Sequence, residues 1–264
     1  MEDRMEPKKR ARRVAVISGK GGVGKSVITA NVAAALSLSG RKILVIDADL
    51  GLANLDIMLG IEPKFTIFDA LHHGKPVDEV LCPTIMGFDL IPAGSSIQEG
   101  TVFSEGMAKN MEKLLASLED RYDAILFDVG AGIGDVVLYF ASLADELLVV
   151  ATPEPTSVMD AYATIKVLNQ LHNKSDFMLV VNQAHPDRAT QIGASIAEHL
   201  RAVAATYLPA GNPVRIDLVG IIPSDPAVLR AIRDRRLLIE AHPEAPSAQL
   251  LNDLAGYLDT RLFR

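Results

Sequence analysis

Residues 14–26 read Val14-Ala15-Val16-Ile17-Ser18-Gly19-Lys20-Gly21-Gly22-Val23-Gly24-Lys25-Ser26, and this stretch decides the fold. Its last eight residues fit the phosphate-loop pattern G-x-x-x-x-G-K-[ST], with a second lysine, Lys20, directly after the first glycine. The pattern signifies phosphate binding only between a strand and a helix. Both are legible. Val14 to Ile17 form a short apolar, β-branched run that suits a buried parallel strand. Past the loop, Ile28, Val32, Ala35, Leu36 and Leu38 recur at helical spacing, and Gly40 stands where a helix C-terminus takes glycine. The glycines let backbone N–H groups close around a phosphate, and the following helix presents its positive end. Lys25 is expected to neutralise β/γ-phosphate charge and the Ser26 hydroxyl to ligate Mg²⁺. Gly19, Lys20, Gly21, Gly22, Val23, Gly24 and Val27 complete the expected nucleotide-binding segment.

The remainder of the chain is built to frame such a loop. At 264 residues and 49% hydrophobic, it is large and apolar enough for one α/β domain with a substantial core. Apolar strand patterns fall at 14–18, 42–46, 88–91, 124–128, 146–151, 177–182 and 217–222. Helical patterns fall at 25–39, 105–120, 135–144, 157–171, 189–205, 226–234 and 247–262. The alternation predicts a mainly parallel sheet covered by helices on both faces. The stretch 50–83 reads as loops and short helices, one of them capped by Thr66 and ended by Gly74. Pro209, Gly211, Asn212 and Pro213 mark a loop near 206–215.

Several function classes are set aside by composition. No apolar run approaches the roughly 20 residues that span a bilayer. The apolar run after Arg13 stops at Gly19, too short for a signal-peptide core. The single cysteine, Cys82, forms no internal disulfide, fits a reducing cytoplasm and is too little for a thiolate metal cluster within one chain. A net charge of −7 argues against indiscriminate coating of nucleic acid.

Two strands end in aspartate. Ile43-Leu44-Val45-Ile46 runs into Asp47-Ala48-Asp49, and Ile125-Leu126-Phe127 into Asp128, followed by Val129-Gly130-Ala131-Gly132. In open α/β sheets ligands sit beyond the carboxyl ends of strands. An apolar strand delivering one carboxylate to its tip is the arrangement that holds a phosphate-bound Mg²⁺. The glycines after Asp128 leave room for a γ-phosphate and for movement once it is lost. Asp47 and Asp49 are expected to take separate roles, one supporting the metal and the other the attacking water.

With Lys20, these aspartates and Gly51-Leu52-Ala53-Asn54-Leu55-Asp56, the chain resembles the MinD/ParA family of deviant-Walker P-loop ATPases from about Val14 to its last helix. The resemblance implies slow, partner-regulated Mg²⁺-dependent ATP hydrolysis in a homodimer that sandwiches two ATP molecules. Lys20 would reach the partner subunit's phosphates. Asp47 would support the metal, Asp49 would position catalytic water, and Asp128 would be the Walker-B residue. Asn182 would contact adenine, with Pro223 and Asp225 completing the base pocket. Within the family, Asp128-Val129-Gly130-Ala131-Gly132 and Thr152-Pro153-Glu154-Pro155-Thr156-Ser157 with Asp160-Ala161-Tyr162-Ala163 resemble the flagellar-number branch (FlhG/FleN/YlxH). That branch implies a partner such as an FlhF-like GTPase or a transcription regulator. Residues 1–13 lack the branch's D-Q-A-x-x-L-R motif, which acts on that GTPase. A septum-site regulator, a DNA-partition ATPase and a metabolic enzyme on the same loop are the alternatives.

Three surfaces have two readings each. Residues 1–13, ending Lys8-Lys9-Arg10-Ala11-Arg12-Arg13, read as a flexible basic tail preceding the domain at 14–264, either solvated or drawn to a polyanion. Leu251, Leu254, Leu258 and Leu262 make an apolar stripe on the last helix, 247–264, for the core or for a membrane surface. The family resemblance implies a cytoplasmic protein, and a membrane-binding stripe would place it at the inner face of the cell membrane. Arg230, Arg233, Arg235 and Arg236 form either a solvated cluster or a DNA contact.

Overall fold

The computed structural model describes residues 10–49, 55–94 and 104–264. Lys8, Lys9 and the segment 51–54 singled out above lie outside these residues. The chain runs β1 (Arg12–Ser18), α1 (Lys25–Leu38), β2 (Ile43–Ala48), α2 (Leu55–Leu59), α3 (Ile67–His73), α4 (Val77–Val80), β3 (Cys82–Pro83), β4 (Asp89–Ile91) and α5 (Glu105–Leu118). It continues β5 (Ala124–Ala131), α6 (Asp135–Leu143), β6 (Glu146–Ala151), α7 (Pro155–His172), β7 (Asp176–Ala184), α8 (Ala189–Tyr207), β8 (Arg215–Pro223), α9 (Pro226–Arg233), α10 (Leu238–Ala241) and α11 (Pro246–Phe263).

Among the described residues the strands form one sheet in the order β3-β4-β2-β5-β1-β6-β7-β8, parallel except for the β3–β4 pair. β1 pairs with β5 on one side and β6 on the other. Both faces of β1 are buried. Ala15 and Ile17 enter the layer formed with Met111 and Leu115 of α5, Phe140 of α6, Ile165 and Leu168 of α7 and Leu200 of α8. Val14 and Val16 enter the opposite layer with Ile28, Val32 and Leu36 of α1 and the α11 leucines. A strand enclosed this way must be apolar on both sides, which is why its sequence does not alternate.

One expectation is corrected, and one pair of readings is decided. The tail does not extend to residue 13: β1 begins at Arg12, and Ala11 is buried. Its arginines hold carboxylates, Arg10 with Asp145 at 2.5 Å, Arg12 with Glu146 at 3.6 Å, and Arg13 with Glu119. Backbone pairing to Asp123 and Glu119 outweighs the local excess of positive charge. The α11 stripe takes the core reading: Leu251, Leu254, Leu258 and Leu262 are all buried in the α1 layer. Each contributes about 2 kcal/mol by leaving water. Arg41 fastens the helix end through Asp259 at 2.6 Å and lies 4.2 Å from the centre of the Phe263 ring. Thr66 and Gly74 bound α3 as expected: the Thr66 N–H donates to Asp69 at 2.9 Å, and Gly74 adopts the left-handed conformation at φ 64°.

Candidate functional site

The chain leaves β1 toward β2 on one side, while β6 flanks it on the other, so a crevice opens beyond its C-terminal end. The loop 19–24 occupies that position and feeds directly into α1. Gly22 and Gly24 lie at φ 75° and 95°, where a side chain is strained. Gly19 is needed for space: a Cβ there would overlap the backbone of Asp160 on α7. Lys25 is 7% exposed and donates to the Ser18 hydroxyl at 2.9 Å. Ser18 in turn donates to the Lys20 carbonyl at 2.7 Å, which ties the loop's entrance to its exit.

The carboxylates converge on the same point. Asp47 and Asp128 are register partners on β2 and β5, and both are buried. Burial pushes the Asp128 carboxyl up to about 6, against hydrogen bonds from Ser26 and Thr29 and the charge of Lys25. Burial also raises Asp47 well above the ordinary carboxylate range, and the neighbouring Asp128 adds to the shift. The Asp49 N–H donates to Asp47 Oδ1 at 3.1 Å, while Asp47 Oδ2 is buried with no hydrogen-bond partner among the described residues. Burial lowers the Lys25 ammonium; the charges of Asp128 and Asp49 oppose that shift. The site thus gathers two buried carboxyls around a single buried lysine. A buried unpartnered carboxylate oxygen beside a second buried carboxylate and a hydroxyl is an oxygen set that suits Mg²⁺.

Asp49 is placed differently from Asp47; the strand period of two would give both the same face, but β2 ends at Ala48 and Asp49 follows its end. Its carboxylate lies against Gly130, where a Cβ would stand 3.3 Å from Oδ1. The loop after β5 is fixed to the phosphate loop by the Gly132 N–H donating to the Ser18 carbonyl at 2.9 Å. Asp49, Gly130 and Ser18 therefore form one connected rim.

Lys20 is held within its own chain. Its ammonium pairs with the Glu154 carboxylate and lies 3.3 Å from Thr156 Oγ1. Both acceptors stand at the start of α7, in the Thr152–Ser157 segment. The Ser157 hydroxyl, receiving the Thr152 N–H at 2.9 Å, fixes that turn. Lys20 and Glu154 are 40% and 62% exposed, so the pair constrains direction more than it stabilises the fold.

At the other side, the Asn182 amide donates to the Val23 carbonyl at 2.7 Å, and the Gln183 amide to the Gly22 carbonyl at 3.2 Å. Asn182 thus contacts the phosphate loop itself. Pro223 is the register partner of Ala184. Asp225 caps α9 by accepting from the Ala227 N–H at 2.8 Å, so its carboxylate serves a helix end.

The structure brings Lys25, Ser26, Asp47, Asp49 and Asp128 together at the loop; Asn182 adjoins it, and Pro223 and Asp225 line the next strand's end. Ser18, Thr29, Glu154, Thr156 and Gln183 are participants that the sequence reading did not place there. Thr29 carries a usable signal, since it follows Ser26 by three residues on the same helical face and lies 3.2 Å from Asp128 Oδ1. Glu154 and Gln183 meet the loop only through tertiary pairing and carry none.

Comparison with known proteins agrees with this geometry. The ParA family model, described as the NUBPL iron-transfer P-loop NTPase, matches residues 9–258. The antiactivator FleN of Pseudomonas aeruginosa is 36% identical over 247 residues, covering 94% of this chain and 86% of FleN. The flagellum site-determining protein YlxH of Helicobacter pylori is 34% identical over 253 residues, covering 94% of this chain and 82% of YlxH. The solved MinC:MinD cell division protein complex of Aquifex aeolicus superposes with a TM-score of 0.78 at 30% identity, covering 95% of this chain and 96% of that one.

Proposed function

Because the chain belongs to the ParA/MinD family of P-loop NTPases, we propose that it is an ATP-driven dimerisation switch that regulates flagellar number or placement. The observation that carries the switch is the pairing of a complete phosphate-loop site with a second loop lysine, Lys20, that the buried chemistry around Lys25 does not use. The flagellar assignment draws on the names of FleN and YlxH and on the 128–132 and 152–163 segments.

The overall reaction is ATP plus water to ADP plus phosphate. Lys25 and the loop N–H groups hold the phosphates. Lys20 leaves Glu154 to serve the phosphates of a second copy. Asp49, beside Gly130, orients the attacking water. Ser26, Asp47 and Asp128 would hold Mg²⁺, which would supply neutralisation of phosphoryl-oxygen charge. Loss of γ-phosphate frees the Asp49–Gly130 rim and lets the dimer open. The partner is a protein of the flagellar system, an FlhF-like GTPase or, by analogy with an antiactivator, a transcription regulator. The iron-transfer chemistry in the family model's description is not part of this reading, since the one cysteine, Cys82, lies on the outermost strand β3.

Among the described residues no helix is long and apolar enough to cross a membrane. Asp49→Ala tests the switch. It is expected to bind ATP, hydrolyse it at least tenfold more slowly and accumulate as dimer in sedimentation. A variant that stays monomeric with ATP removes the basis of the switch. Deletion of the gene, scored for flagellation against minicell formation, separates the flagellar role from septum placement.

A further inference from the structure

Gln183 stands where no side chain is comfortable. Its φ is 58°, in the left-handed region, at a point where the β7–β8 register breaks between Val181 and Ala184. In a regular strand, Asn182 and Gln183 would point to opposite faces. Here the irregularity sends both amides to the same loop. They donate to consecutive carbonyls, Asn182 to Val23 at 2.7 Å and Gln183 to Gly22 at 3.2 Å. A carbonyl only accepts, so each amide must face it with its nitrogen.

The consequence follows from peptide planarity. In a trans peptide the C=O and the next N–H point in opposite directions. Drawing the Gly22 carbonyl toward β7 turns the Val23 N–H away from β7. Drawing the Val23 carbonyl the same way turns out the Gly24 N–H. Among the described residues neither N–H donates to a backbone carbonyl. A side chain on Gly24 would be strained at φ 95°, and its Cβ would displace the Asn182 amide from the loop.

We propose that Gln183, together with Asn182, is a positioning residue that clamps the outer side of the phosphate loop and presets the Val23 and Gly24 N–H groups for nucleotide phosphates. Strain held at Gln183 is the local cost of that orientation. The proposal rests on the nucleotide-site reading above.

The test compares wild type, Gln183→Gly, Gln183→Glu and Lys25→Ala as full chains. Binding of Mg-ADP and of a non-hydrolysable ATP analogue is measured by calorimetry, and melting temperature is measured without nucleotide. Gln183→Gly removes the amide and relieves the left-handed strain. It is expected to raise Kd for both nucleotides about fivefold, the equivalent of one net hydrogen bond, with the nucleotide-free melting temperature unchanged or higher. Its KM rises while kcat holds. Gln183→Glu presents a carboxylate to a carbonyl and loses more. A Gln183→Gly protein with wild-type Kd overturns the clamp, as does a Kd loss that merely tracks a falling melting temperature. If wild type binds and Lys25→Ala does not, the site reading survives either result. A wild type that binds neither nucleotide removes the site reading, and the clamp with it.

Discussion

Asp47 and Asp128 face one another across the β2–β5 ladder as register partners, both about 1% exposed. Like charges opposed on one sheet face repel, and burial disfavours both anions. The folded chain therefore binds protons here more tightly than the unfolded chain does. For Asp128 the ordinary value of 3.8 rises to about 6. The stability linked to that shift is fully present below about 3.8 and is lost as pH rises through about 6. In protein free of nucleotide and divalent cation, Asp128→Asn is expected to melt higher than wild type at pH 8, by an amount on the order of 3 kcal/mol. The difference should vanish by about pH 4, as read by calorimetric melting across that range. A gap that does not depend on pH would contradict this account.

The pair of Lys20 with Glu154 restrains a side chain rather than the fold. Glu154→Gln is expected to lower the melting temperature by no more than about 2 °C, since exposed ion pairs are worth at most about 1 kcal/mol. Released from its partner, Lys20 becomes available to a second subunit. ATP-dependent dimer should then appear at a severalfold lower protein concentration in sedimentation velocity. Unchanged dimerisation would show that the pair does not hold Lys20 back.

Two loop glycines separate space from flexibility. A Cβ on Gly19 meets the Asp160 backbone, whereas one on Gly21 finds only the Ala131 methyl at 4.0 Å. Gly19→Ala is expected to lower the melting temperature on the order of 5 °C, equivalent to about 2 kcal/mol of overpacking. Gly21→Ala should match wild type. Equal effects would mean that the loop does not bear on α7 as the structure has it.

The last helix belongs to the core. Leu254→Ala is expected to cost about 3 kcal/mol by leaving a cavity beside Gly220 of β8, seen as a lower urea midpoint. Liposome flotation should not change. Strong membrane binding that is lost with Leu254 would contradict the packing.

The core sheet and the α/β alternation were legible because their signals are local. Buried strands such as Val14 to Ile17 carry unbroken apolar runs, and long helices such as α5 and α8 carry clear periodicity. The short α2, α4 and α10 were not individually resolved, because four or five residues leave no period to read. The two-residue strand β3 is equally silent, being defined by antiparallel pairing of Cys82 with Leu90. Lys25, Ser26, Asp47, Asp49 and Asp128 were legible because the glycine-rich loop and the apolar runs that precede the aspartates are local signals, although β5 continues past Asp128 to Ala131. Glu154 and Gln183 were not: one reaches the loop through the turn into α7, the other through a register break that only the β7–β8 pairing creates. The tail was misjudged for the same reason, since Arg12 and Arg13 look solvated until Glu146 and Glu119 are brought beside them.

The order of synthesis and the order of the sheet are opposed. Among the described strands β1 leaves the ribosome first, yet Val14 finds its neighbours only at Leu126 and Glu146. At 5–20 residues per second, a growing polypeptide takes roughly 6–25 s to make both flanking strands. Throughout that interval the apolar stretch Val14 to Ile17 has two bare edges. The phosphate loop it carries has no site to complete. Nascent chains of this protein are therefore a natural substrate for chaperones that shield apolar segments, and premature termination before Glu146 leaves a fragment prone to aggregate through β1.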